Sequence, residues 1–272
     1  MEEVSIKGVM YAVERVMSES RYASAVVHGN TIRIRVPKRM SNGEALSAYL
    51  DLKRRAIRKI ERHGPFIGDA QISFRDGQTV SVLGREFAIT VSESHGLKGS
   101  SARLGIGGHV DITLASGLDE KARTIHVDAL ARRVISSAVM DQVQERVRLL
   151  NSKSFNFEIK SIRIGKPSST RWGSCSPKSG RINLSFRLLF APQIIIDSVI
   201  VHELAHLKVA NHSDAFWRLV YGAMPNYKEV RKWLNNNGHS IGPGFMADGS
   251  ELQRLSGACT LEPIVGARAG RA

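Results

Sequence analysis

Apolar residues recur along this chain at two periods. In residues 30–40, NTIRIRVPKRM, the apolar Ile32, Ile34 and Val36 alternate with Arg33 and Arg35. That is the period of a half-buried strand, and Pro37 ends it. Ser41 can cap a helix that runs to about His63, with Gly64 and Pro65 as the stop. Its apolar stripe is Leu46, Tyr49, Ala56, Ile57 and Ile60, and its other face carries Lys53, Arg54, Arg55, Arg58, Lys59 and Arg62. Such a basic run reads first as a solvated helix face. Residues 70–127 read as short strands, TVSVLG, EFAITV, ARLGI, HVDITL and TIHV, separated by Gly and Asp-Gly turns. A helix is predicted over 127–150, and FEIKSIRIGK at 157–166 alternates again. TRWGSCSPKSGRINLSF reads as a hairpin turning at SPKSG. Pro192 opens the next helix, a short one begins near Ser213, and Tyr227–Asn237 forms another, closed by Gly238. Residues 1–20 suit a short amphipathic helix or a mobile arm, 241–272 are Gly-rich and weakly patterned, and no internal repeat is read.

Composition narrows the class. With 272 residues, 42% of them hydrophobic, the chain can bury one large core or two small ones. Its formal charge is +14, and residues 121–190 alone hold 14 Lys+Arg against 4 Asp+Glu. That surplus favours polyanions, so nucleic-acid association through a basic surface stays open. Two cysteines, Cys175 and Cys259, are too few for a disulfide framework and suit a reducing compartment. The N-terminus starts acidic and lacks an apolar leader stretch, and no apolar run reaches the roughly 18–20 residues of a membrane span. A cytoplasmic protein with no membrane partner is expected.

One stretch carries the chemistry. VIVHELAHLKVANHSDAFW, residues 199–217, contains His202-Glu203-Leu204-Ala205-His206, an H-E-x-x-H motif, in an otherwise apolar helix. On a helix, residues four apart lie about 40° apart and one turn along, so the two imidazoles can share one metal ion. Glu203 lies about 60° round from His206, beside that ion, where it can take a proton from a water. Unpaired His and Glu in a buried helix would be costly, and a metal would satisfy them. A catalytic zinc takes three protein ligands and keeps one position open. His212, six residues after His206 and beyond a turn that Asn211 could make in left-handed geometry, is the first candidate for the third. Glu229 is the rival. Trp172 reads as packing and Cys175 as a small core residue, whereas Arg171 could bind a carboxylate or phosphate and Tyr227 could hydrogen-bond an oxyanion.

TRWGSCS, GRINLSFRLLFAP, VIVHELAHLKVANHSDAFW and PNYKEVRKWLNNNG together resemble the YgjP-like family of metal-dependent hydrolases, zincin-like proteins related to SprT-type metallopeptidases. The likeness is dense over 160–238 and weaker upstream. It implies a zincin-like α+β catalytic unit, here the domain at 128–240. By patterning, a β-rich region with one basic helix at 1–127 precedes that domain, and a flexible tail at 241–272, outside the likeness, follows it. The likeness also implies one catalytic Zn²⁺ held by His202, His206 and His212, with Glu203 as base. Arg171, Asn183 and Tyr227 are the candidate substrate contacts. Ser185 stands where the family more often has Asn, which weakens it as a contact. The expected function is a zinc metallopeptidase acting on a peptide or protein. The alternatives are a metal-dependent nucleoside triphosphate pyrophosphohydrolase and a nucleic-acid-associated, SprT-like protease.

Overall fold

The computed structural model describes residues 2–28, 30–63, 72–168, 171–246 and 248–256. The chain forms two compact units, Met1–Gln71 with Asn236–Ser240, and Ile72–Asn235 with Ile241–Ala272.

In the first unit, strands β1 (Glu2–Ile6) and β2 (Val9–Ser18) form a hairpin, succeeded by β3 (Ser24–His28), β4 (Thr31–Pro37) and helix α1 (Asn42–His63). The sheet order is β1-β2-β4-β3, with β2 and β4 parallel and the outer pairs antiparallel. Residues 2–18 are therefore a strand hairpin rather than a helix or an arm. Tyr11 and Val13 alternate inward while Met10 and Glu14 face out, a period of two that the flanking charges obscure. Helix α1 starts where expected, because Ser41 and Glu44 cap each other reciprocally: the Ser41 amide donates to Glu44 Oε2 at 3.0 Å and the Glu44 amide to Ser41 Oγ at 3.4 Å. Its inward residues include Ala45, Ala56 and Ile60, which pack on Ile6, Tyr11, Ile32, Ile34 and Val36. Leu46, expected on the inner stripe, is half exposed. Gly64 and Pro65, the expected stop, lie outside the described residues.

In the second unit, β5 (Thr79–Val82), β6 (Arg85–Ser94), β7 (Ser101–Leu104) and β8 (His109–Ala115) lead into α2 (Glu120–Ser154). The sheet order is β5-β6-β8-β7, with β6 and β8 parallel. This repeats the first unit's topology, an internal repeat where none is read from the sequence alone. With the strands superposed in register, VSIKGVMYAV (4–13) falls on VSVLGREFAI (80–89). Lys7-Gly8 and Leu83-Gly84 make the same left-handed turn, with φ of 51° and 79° in the first and 50° and 75° in the second. TIHV, read as a strand, lies in the first turns of α2. Asp119 caps that helix by accepting from the Ala122 amide at 2.7 Å, and the cap outweighs the β-branched residues behind it.

The remainder of this unit carries the site. Strands β9 (Ser161–Gly165), β10 (Gly173–Ser176) and β11 (Arg181–Ser185) form a sheet of order β10-β11-β9, so β10 is an edge. The β10–β11 hairpin turns at Pro177–Ser179 and closes at Gly180, whose φ is 57°. Four helices complete the unit: α3 (Gln193–Lys208), α4 (Asp214–Ala223), α5 (Tyr227–Asn237) and α6 (Gly249–Ser256). Helix α6 lies within the segment read as a tail, where Trp233 Nε1 donates to Glu251 at 2.9 Å, and residues 257–272 lie outside the described set. Helix α3 is buried along most of its length, and Arg146 of α2 donates to Asp197 of α3 in a buried ion pair, with Nε to Oδ1 at 2.8 Å. Gln193 donates to the same Asp197 oxygen at 2.7 Å. No described helix is long and apolar enough to cross a membrane.

Candidate metal centre

Helix α3 ends in the motif. His202 and His206 are half-buried and one turn apart, and Glu203 is buried between them along the chain. The chain leaves the helix at Val209 in extended geometry, φ −127° and ψ 108°. The expected left-handed Asn211 is not found, since Lys7, Leu83 and Asn156 are the non-glycine residues with positive φ. The extended exit suffices to bring the exposed His212 back over the helix.

There, His206 Nε2 and His202 Nε2 stand 3.2 Å apart, and His212 Nε2 and His202 Nε2 stand 3.1 Å apart. The ligand atoms of the three residues all lie within 4.8 Å of one another. Two nitrogens bound tetrahedrally to one zinc at about 2.0–2.1 Å would be about 3.3 Å apart. The far nitrogens of His206 and His202 are held too. His206 Nδ1 faces the Val209 carbonyl at 3.0 Å, and a carbonyl only accepts, so Nδ1 carries the hydrogen and Nε2 presents its lone pair. His202 Nδ1 faces the Tyr227 hydroxyl at 2.9 Å. Burial, then the neighbouring His206 and His212, push the His202 pKa down to about 3, and His212 is lowered by burial and by His206. Both shifts favour the neutral imidazole that a metal ligand must be. Converging nitrogens and the outer hydrogen bonds of His202 and His206 fit a metal ion.

Burial pushes Glu203 up to about 7, close to the range in which a carboxylate accepts and returns a proton at neutral pH. Its side chain lies against the backbone of the edge strand: a Cβ on Gly173 would come within 2.7 Å of Glu203 Oε1. Cys175, two residues on, has its thiol pushed up to about 11 by burial and then by the Glu203 charge, which makes it a poor thiolate ligand.

The other expected residues fall in different places. Glu229, the rival ligand, is exposed and stands outside the histidine cluster. Tyr227 is buried on α5, and its hydroxyl contacts the far nitrogen of His202 rather than the side the three histidines share. Arg171 is exposed, and the contact found for it is its backbone amide donating to Ser168 Oγ at 3.1 Å. Asn183 sits on β11 with its side chain over Gly165, where a Cβ would meet it at 2.8 Å. Ser185 is buried and accepts from the Ser168 amide at 3.2 Å. Trp172 packs under the buried Arg187 guanidinium, 4.7 Å from the ring centre.

Sequence reasoning passed over an aromatic wall beside the histidines. Phe216 is fully buried with its ring centre 4.5–4.9 Å from all three imidazoles. Trp217 stacks on His212 at 5.7 Å, and Tyr221 stacks on Trp217 at 5.7 Å. Trp217 and Tyr221 are four apart on α4, which is the signal that could have found them.

Fold and site together describe a protein of mixed α and β structure with a three-histidine centre that fits a metal ion. The chain belongs to the YgjP-like metallopeptidase domain family, whose profile matches residues 21–237. Among solved structures, the metallopeptidase zymogen of Pyrococcus abyssi abylysin is similar over 34% of this chain and 90% of its own, at 25% identity and a TM-score of 0.31. No curated protein matches the chain significantly.

Proposed function

We propose that this protein is a zinc-dependent peptidase with a zincin-like core, in which His202, His206 and His212 hold the ion and Glu203 is the general base. The observation that carries this reading is the convergence of the three Nε2 atoms, two of their separations being 3.1 and 3.2 Å, beside a buried carboxylate of raised pKa. When bound, zinc supplies an electrophile that acidifies water and polarises a carbonyl. Glu203 takes the proton from the attacking water and returns it to the leaving amine. Its position against the Gly173 backbone puts that proton transfer beside β10, whose free edge can pair with an extended peptide. Tyr227 is a positioning residue: with Nε2 kept free as a ligand, His202 Nδ1–H donates to its oxygen and the ring cannot turn.

The test pairs metal analysis with peptide cleavage. The unaltered protein is expected to bind one zinc per chain, and a Glu203→Gln variant to keep that zinc while losing cleavage by at least about 100-fold. His212→Ala is expected to lose stoichiometric zinc. Full activity in Glu203→Gln, or pyrophosphate release from nucleoside triphosphates with no cleavage of any peptide, would sink the reading.

A further inference from the structure

Two cations and two aromatic rings form a ladder beside the histidines. On α4, Trp217 and Tyr221 are one turn apart and stacked, with ring planes 21° apart. On α5, Lys228 and Arg231 are also one turn apart, and each lies over one of those rings. The Arg231 guanidinium carbon is 5.4 Å from the Trp217 ring centre, and Lys228 Nζ is 5.4 Å from that of Tyr221. The ladder abuts the site directly, because Trp217 is 5.7 Å from the His212 ring and 6.4 Å from the His202 ring.

Both cations are exposed, and neither makes an ion pair or side-chain hydrogen bond with any described residue. Asp214 and Glu229, the nearest acids on the same two helices, form no ion pair with them. A guanidinium lying over an indole has its face occupied and its N–H edge open, which is the geometry for gripping a carboxylate with two parallel hydrogen bonds. The indole itself is flanked by His212, Tyr221 and Arg231, so the cations rather than a free ring face are what a ligand would meet. That favours a carboxylate over a nucleobase.

We infer that Arg231, backed by Trp217 and assisted by Lys228, forms a subsite that selects peptides carrying a carboxylate next to the bond to be cleaved. This rests on the peptidase reading above. The carboxylate could belong to an acidic side chain or to a free C-terminus, and the experiment separates the two.

Binding of fluorescein-labelled peptides to the full-length, zinc-loaded Glu203→Gln protein is measured by anisotropy. One peptide is neutral and amidated, one is amidated with a single Asp, and one is neutral with a free C-terminus. At least one carboxylate peptide is expected to bind about 10- to 100-fold tighter than the neutral one, and whichever gains names the source. Arg231→Gln is expected to reduce that gain to under about threefold, and Arg231→Glu to turn the preference toward a Lys-containing peptide. Both substitutions are at an exposed position, and an unchanged melting temperature and zinc content confirm that the fold is intact. Equal affinity for all three peptides, no measurable binding, or a preference that survives Arg231→Gln combined with Lys228→Gln would overturn the subsite. So would a nucleoside triphosphate binding tighter than every peptide. Cleavage by the unaltered protein is scored separately. Cleavage without acidic preference removes the subsite and leaves the peptidase, while carboxylate-selective binding with no cleavage of any peptide removes the peptidase and leaves the subsite.

Discussion

Strands β1–β4 with α1 and strands β5–β8 with α2 share the same order, the same parallel central pairing and the same left-handed turn, yet their helices differ in kind. Helix α1 buries Ala45, Ala56 and Ile60 and leaves its other described side chains half-covered or in water. Helix α2, at 35 residues against 22, buries side chains from Val127 to Leu150, among them the charged Arg146. The difference comes from a second load that only α2 carries. It has to cover its own sheet and also hold α3, so apolar positions recur beyond a single stripe, and a buried ion pair to Asp197 ties the motif-bearing helix in place. The same supersecondary arrangement thus covers its own sheet in one copy and also supports the histidine site in the other. A fold element is not tied to one task, and the burial of its helix tells which task it has.

Substitutions can break or sharpen this contrast. The largest effect is expected from Arg146→Ala, which strands Asp197 in the core and should cost about 3–5 kcal/mol in chemical denaturation of the second unit. A loss below about 1 kcal/mol would mean that α3 does not depend on its tie to α2. An effect of the same size is expected at the paired core aromatics Tyr11 and Phe87, both fully buried at matching positions of the two sheets. Tyr11→Ala and Phe87→Ala should each cost about 3–5 kcal/mol, and values within about 1 kcal/mol of each other would support the equivalence of the two modules. The smallest effect belongs to the turns. A Cβ on Gly8 or Gly84 would meet nothing within 4 Å, so Gly8→Ala and Gly84→Ala should each lose only the strain of a left-handed alanine, about 1 kcal/mol by thermal melting. A much larger loss at one of them would show that the two turns are not interchangeable.

Much of the fold and of the site is legible in the sequence where a single physical rule dominates. Alternation exposes β4, β6 and β8, Ser41 as a cap marks the start of α1, and the H-E-x-x-H spacing brings His202, Glu203 and His206 to one end of α3. Where two rules compete, sequence reasoning fails. Residues 2–18 carry enough charge on their outer face to pass for an amphipathic helix, and TIHV is β-branched but sits one turn after a strong aspartate cap. The repeat escapes because only a turn and a few core positions match between copies, and a match of that kind becomes visible only through strand register. Asn211 suits a turn by residue type, but Val209 makes the exit with ordinary extended geometry. The roles of Tyr227, Lys228 and Arg231 depend on how α5 lies against α3 and α4, a tertiary relation that no local pattern encodes.

Gly173 has a consequence that reaches beyond its own strand. Because its missing side chain is the space that Glu203 occupies, the separation of β10 from α3 is set by direct contact between a backbone and a carboxylate. The strand therefore acts as a gauge: it holds the acid at a single depth, and no L-residue can stand at that position without pushing strand or acid aside. An engineer who wished to re-aim the acid would have to work elsewhere around the site and leave the glycine edge alone.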